Sequence, residues 1–103
     1  MRLAILAVCL AAGAAPVAAA QAIPDLNYRR TCDRTPEVGM DRKSTQESCM
    51  RDEGEARRQL PPVWRKASDG QRRVCLAETT QGGLPSYVEL IVCLNNAMAA
   101  KQR

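Results

Sequence analysis

The chain contains no His and no Phe, and only one Trp and two Tyr among 103 residues. Without an imidazole, the commonest general base near neutral pH is missing. A zinc site would have to be built from thiolates alone, yet no two Cys have the short spacing of zinc-binding pairs. The C-x-x-C pair of a thiol oxidoreductase is also absent. Gly82-Gly83 lacks the Lys-Ser or Lys-Thr that would follow in a phosphate-binding loop. No aromatic residues interleave the arginines, and the formal net charge is only +4. Both facts argue against nucleic-acid binding. The expectation is a non-catalytic protein with no metal and no cofactor.

What is present begins with an apolar start. Arg2 precedes an apolar run from Leu3 to Ala15, broken only by Gly13. Pro16 then leads into Ala18-Ala19-Ala20 and Ala20-Gln21-Ala22, which both fit the A-x-A cleavage pattern. This reads as a secretory signal peptide over residues 1–22, cut after Ala20 or Ala22. The run is short for a membrane span and no stop-transfer flank follows, so the mature chain should have no transmembrane segment. Bulky Val8 before Cys9 argues against a lipidated Cys. Seventeen hydrophobic residues lie in the first twenty positions, which leaves a lean mature chain.

Cys9 leaves with the signal, and Cys32, Cys49, Cys75 and Cys93 remain. Four Cys in a short exported chain imply two disulfides. Each would close a loop of about 18 residues and add about 3 kcal/mol in the chain-entropy account. This support suits a domain with so few aromatic residues to bury. The expected compartment is the periplasm or the exterior.

Residues 23–43 show weak periodicity, with Pro24, Pro36 and Gly39. They read as an irregular arm that Cys32 alone could tie down, with a helical turn at Thr35-Pro36-Glu37. Residues 44–103 read as a helical domain. Three capping boxes, at Ser44–Glu47, Ser68–Gln71 and Ser86–Glu89, mark helix starts. The first helix places Cys49, Glu53, Ala56 and Leu60 on one stripe, joined by Met50 and Trp64. Pro61-Pro62 should kink or end it. The second helix spans about Asp69 to Thr79, and Gly82-Gly83 supplies the turn after it. The third shows Tyr87, Leu90, Ile91, Leu94 and Met98 at three-four spacing. The fold class expected is all-α: a disulfide-stapled helical hairpin or three-helix domain.

Helical rise bears on the Cys pairing. Cys75 and Cys93 each sit about 9 Å into their helices at about 1.5 Å per residue. Folded back over the glycine turn, they reach the same height. That favours Cys75 with Cys93 and Cys32 with Cys49. The alternative, Cys49 with Cys93 and Cys32 with Cys75, survives if the first and third helices start level.

Trp64, Tyr87, Leu90 and Leu94 are expected as core anchors. Asp52, Glu53 and Glu55 could supply paired carboxylates for glycosidase chemistry. They crowd the first half of one helix, however, and read better as a solvated face. Arg58, Arg65 and Arg72 are seven apart and would line one side of a continuous helix. They form a possible basic surface for anionic lipid, glycan or acidic protein. The plainer reading is solubility and i,i+4 pairing, such as Glu53 with Arg57.

The run Cys49-Met-Arg-Asp-Glu-Gly-Glu-Ala-Arg-Arg-Gln-Leu60, then Trp64, Gln71-Arg-Arg-Val-Cys75, Pro85-Ser-Tyr-Val-Glu-Leu90 and Cys93-Leu94 resembles a group of uncharacterised small exported proteins of alphaproteobacteria. The likeness covers roughly Cys49 to Met98 and implies export and a helical fold, but no activity. Pro61-Pro62 and Asn95 depart from the group's pattern. A weaker similarity, through Trp64, Arg72 or Arg73, and Cys75, is to the LprI-like lysozyme-inhibitor family. The expected role is a structural or protein-binding module of the envelope. Its alternatives are inhibition of a hydrolase such as lysozyme, or weak binding to anionic envelope surfaces. The partner expected is a protein of the envelope.

Overall fold

In the computed structural model, residues 22–101 are described, and they form four helices and no strand: α1 (Tyr28–Asp33), α2 (Arg42–Lys66), α3 (Asp69–Thr80) and α4 (Tyr87–Lys101). The fold is all-α, as expected. Apart from Ala22, the signal segment expected at 1–22 lies outside the described residues. Helix α4 packs on both α2 and α3, and α1 packs on α2.

Helix α2 starts earlier and ends later than the sequence suggests. Asp41, not Ser44, is its N-cap, and the Asp41 carboxylate accepts from Ser44 N at 2.8 Å. Asp caps as well as Ser does, so the upstream residue takes the role. The Ser44 N–H also holds the Asp41 carboxyl below its ordinary pKa of 3.8. Pro61 and Pro62 lie inside the helix, which runs on to Lys66. Each proline removes one intrahelical donor, leaving the carbonyls of Arg57 and Arg58 without their usual partners. Both arginines are exposed, so water can serve those carbonyls. Leu60 and Trp64 are buried on either side of the pair. Burying side chains of that size stabilises by about 1.5–3 kcal/mol each, which offsets much of the cost of about 3 kcal/mol for each interior proline.

The other two capping boxes behave differently from each other. At α3, Ser68 Oγ accepts from Gln71 N, and Gln71 Oε1 accepts from Ser68 N, so the box is complete. At α4, Ser86 Oγ accepts from Glu89 N, but Ser86 N donates to Thr79 Oγ1 instead of to Glu89. In the turn between α3 and α4, Gly83 takes a left-handed φ of 74° and Gly82 does not.

The N-terminal arm is more ordered than its weak periodicity implies. It contains α1, whereas the turn anticipated at Thr35-Pro36-Glu37 is not helical. Cys32 is not its only tie. Leu26 N donates to Tyr87 Oη at 2.9 Å, and Tyr87 Oη donates to Pro24 O at 2.6 Å. Thr31 Oγ1 donates to Pro85 O, and the Tyr28 and Tyr87 rings meet edge to face at 5.6 Å. Leu26 joins the core with Ala56, Leu60, Trp64, Ala67, Cys75, Tyr87, Leu90 and Leu94. All four expected anchors are therefore buried.

Cys32 pairs with Cys49 and Cys75 with Cys93, at Cα separations of 5.4 and 5.6 Å. This is the pairing that helical rise favours.

Candidate functional site

The centre of the site is Glu53. It lies on the buried stripe of α2, where Thr45, Ala56, Leu60 and Trp64 also face inward. Only 4% of it is exposed. Its Oε1 accepts from Ser86 Oγ, and its Oε2 accepts from Tyr87 N at 2.6 Å. The first turn of any helix leaves backbone N–H groups without partners and carries a partial positive charge. Glu53 answers both needs at the start of α4. The reading of Glu53 as part of a solvated face with Asp52 and Glu55 is therefore corrected. So is its pairing with Arg57, which lies 3.8 Å from Asp25 and over the Tyr87 ring. Asp52 and Glu55 are exposed, as expected.

A second layer of bonds secures the same helix end. Thr79 Oγ1 accepts from Ser86 N, and its single proton is shared between Ser86 O at 3.1 Å and a Glu89 carboxylate oxygen at 3.2 Å. Residues from α2, α3 and α4 thus converge on Ser86.

Beside this network opens a cleft of about 520 Å³ between the arm, α2 and α4. Val38, Met40 and Val88 line it, and all three are exposed, Val38 by 81%. Asp52, Glu53 and Glu89 line it too, and no Lys or Arg does. Thr45, also in its lining, is buried and its hydroxyl has no protein partner. The loop carrying Val38 and Met40 is held at both ends. The Cys32–Cys49 disulfide fixes one side. Arg42 reinforces the other by donating to Thr35 O and Cys32 O. Gly39, at the loop tip, takes a φ of 74°.

The basic residues separate. Arg58 and Arg65 are exposed on the continuous α2. Arg72 is taken into the structure. It donates to Trp64 O at 2.9 Å, pairs with Asp69 and stacks 5.7 Å from the Trp64 ring centroid. It thereby serves an unpartnered carbonyl at the C-terminal end of α2. The three-arginine surface is reduced to two.

Among the described residues, no group of acidic, Cys or His side chains could hold a metal ion. No described helix is long and apolar enough to cross a membrane. Compared with known protein families, curated proteins and solved structures, the chain matches none.

Proposed function

We propose that the protein is an exported, non-catalytic binding module of the bacterial envelope that engages a protein partner. The observation carrying this reading is how its carboxylates are used. Glu53, the buried carboxylate best placed for chemistry, has both oxygens committed to the start of α4. Meanwhile Val38 and Met40 stand exposed on an anchored loop. Apolar side chains displayed from a held loop favour contact with another macromolecule. The two disulfides favour an oxidising compartment.

The test is fractionation of the native host followed by photo-crosslinking. The mature chain should begin at Gln21 or Ile23, lie outside the cytoplasm with all four Cys oxidised, and crosslink from position 38 to one defined protein. A full-length, reduced cytoplasmic chain would contradict export. An oxidised, exported chain that forms no crosslinked adduct would contradict the binding role.

A further inference from the structure

We propose that the cleft between the arm, α2 and α4 receives a basic side chain, foremost an arginine, presented by the protein partner. The inference rests on the binding-module reading and names the chemistry of the contact. Three carboxylates, Asp52, Glu53 and Glu89, line the cleft without a basic residue among them. None of the three takes part in an ion pair among the described residues. The chain as a whole is cationic, at +4, so this acidic pocket is contrary to the general charge. Local charge of opposite sign steers a cationic partner to this place and away from Arg58 and Arg65.

The walls decide what kind of cation fits. Val38, Met40 and Val88 present apolar surface beside the carboxylates. A cation on an aliphatic stem matches both parts, because its methylenes cover the apolar wall while its head meets the acids. Glu53 is already committed to Ser86 and Tyr87, and one Glu89 oxygen is engaged by Thr79, so Asp52 and the other Glu89 oxygen are the acceptors open to a ligand. Two separate acceptors suit the forked guanidinium better than the single point charge of Lys. The unpartnered Thr45 hydroxyl adds a polar group with no internal use. Anchoring of the loop by Cys32–Cys49 and Arg42 means that the pocket needs little ordering on binding.

The test is an amide NMR titration of the oxidised mature chain with two blocked tripeptides, one centred on arginine and one on its neutral isostere citrulline. The arginine peptide should shift the amides of Val38, Met40, Thr45, Asp52 and Val88. It should bind about tenfold more tightly than the citrulline peptide, the scale of one charge-assisted contact. The double variant Asp52→Asn, Glu89→Gln should abolish that preference. Val38→Ser, at an exposed loop position, should weaken both peptides without altering the helical spectrum. Equal shifts from both peptides, or shifts confined to another face, would overturn the proposal. If position 38 crosslinks to an envelope protein but the arginine peptide gives no shift at the cleft, the binding-module reading stands and the cation proposal falls. If the peptide binds as expected but no envelope protein is captured, the reading of the role fails instead.

Discussion

The α3–α4 hairpin and the N-terminal arm are each closed by one disulfide across nearly equal stretches of chain, 18 and 17 residues. The hairpin's bridge joins two helices that already face each other, with Leu90 and Leu94 buried beneath. The arm's bridge joins a six-residue helix to a long one, and the segment buries only Leu26 and Cys32. The hairpin is thus held mainly by apolar burial. The arm is held mainly by directed polar bonds, two of them through the Tyr87 hydroxyl. Cross-links of like loop length can therefore support regions of unlike architecture. The polar route leaves exposed surface, and it is there that the acidic cleft opens.

Glu53 is common to both regions, since it starts α4 and lines the cleft beside the arm. Glu53→Ala should have the largest effect, about 3–5 kcal/mol of lost stability, because two buried donors lose their acceptor. Urea unfolding would measure it, and a loss below about 1 kcal/mol would show that the helix start does not depend on this carboxylate. Next comes removal of each disulfide by paired Cys→Ala substitution. Each should cost about 3 kcal/mol, alike to within the small difference in loop length. The pattern of hydrogen exchange should differ: losing Cys32–Cys49 should speed exchange in the arm alone, and losing Cys75–Cys93 should speed it in α3 and α4. Tyr87→Phe should cost about 1–3 kcal/mol, since buried Leu26 N loses its partner. Its ring remains in the core, so the hairpin should keep its exchange protection while the arm loses it.

The smallest effect concerns pH and the start of α2. The folded carboxyl of Asp41 titrates below 3.8, because the Ser44 N–H bonds favour its charged form. Its contribution is therefore fully present above the unfolded value and is lost as pH falls through the lower folded one. Urea midpoints taken from pH 6 down to pH 2 should show a small decline below pH 4 that Asp41→Ala removes. This decline should affect α2 and not the α3–α4 turn.

Much of the hairpin was legible because its signals are local. The Ser68 capping box, the glycine turn and the three-four spacing from Tyr87 to Met98 each specify structure over one or two helical turns. The same spacing put Cys75 and Cys93 at one height. The arm was less legible because its ties are long-range. Nothing in residues 23–43 points to the hydroxyl of Tyr87, some sixty positions away. Pro61-Pro62 leaves open whether the helix kinks or ends, because the proline rule is local, whereas the burial of Leu60 and Trp64 that accompanies its continuation to Lys66 is tertiary. Glu53 carried a usable signal. It falls on the same stripe as Ala56 and Leu60, and a carboxylate on a buried stripe calls for a donor such as a helix start. Its neighbours Asp52 and Glu55 drew it into a surface reading that suits only them. Arg72 likewise fits a seven-residue repeat with Arg58 and Arg65, but the break at Ser68 turns it toward Trp64.

Arm and helical body form one held scaffold, which fixes the cleft wall in the free protein. The exchange rate of the Leu26 amide in the oxidised chain tests it most directly, because that N–H is bound to Tyr87 across the two regions. Protection of Leu26 should come close to that of Leu90 in the core of α4. Exchange of Leu26 at the rate of an unstructured amide, with Leu90 still protected, would contradict it.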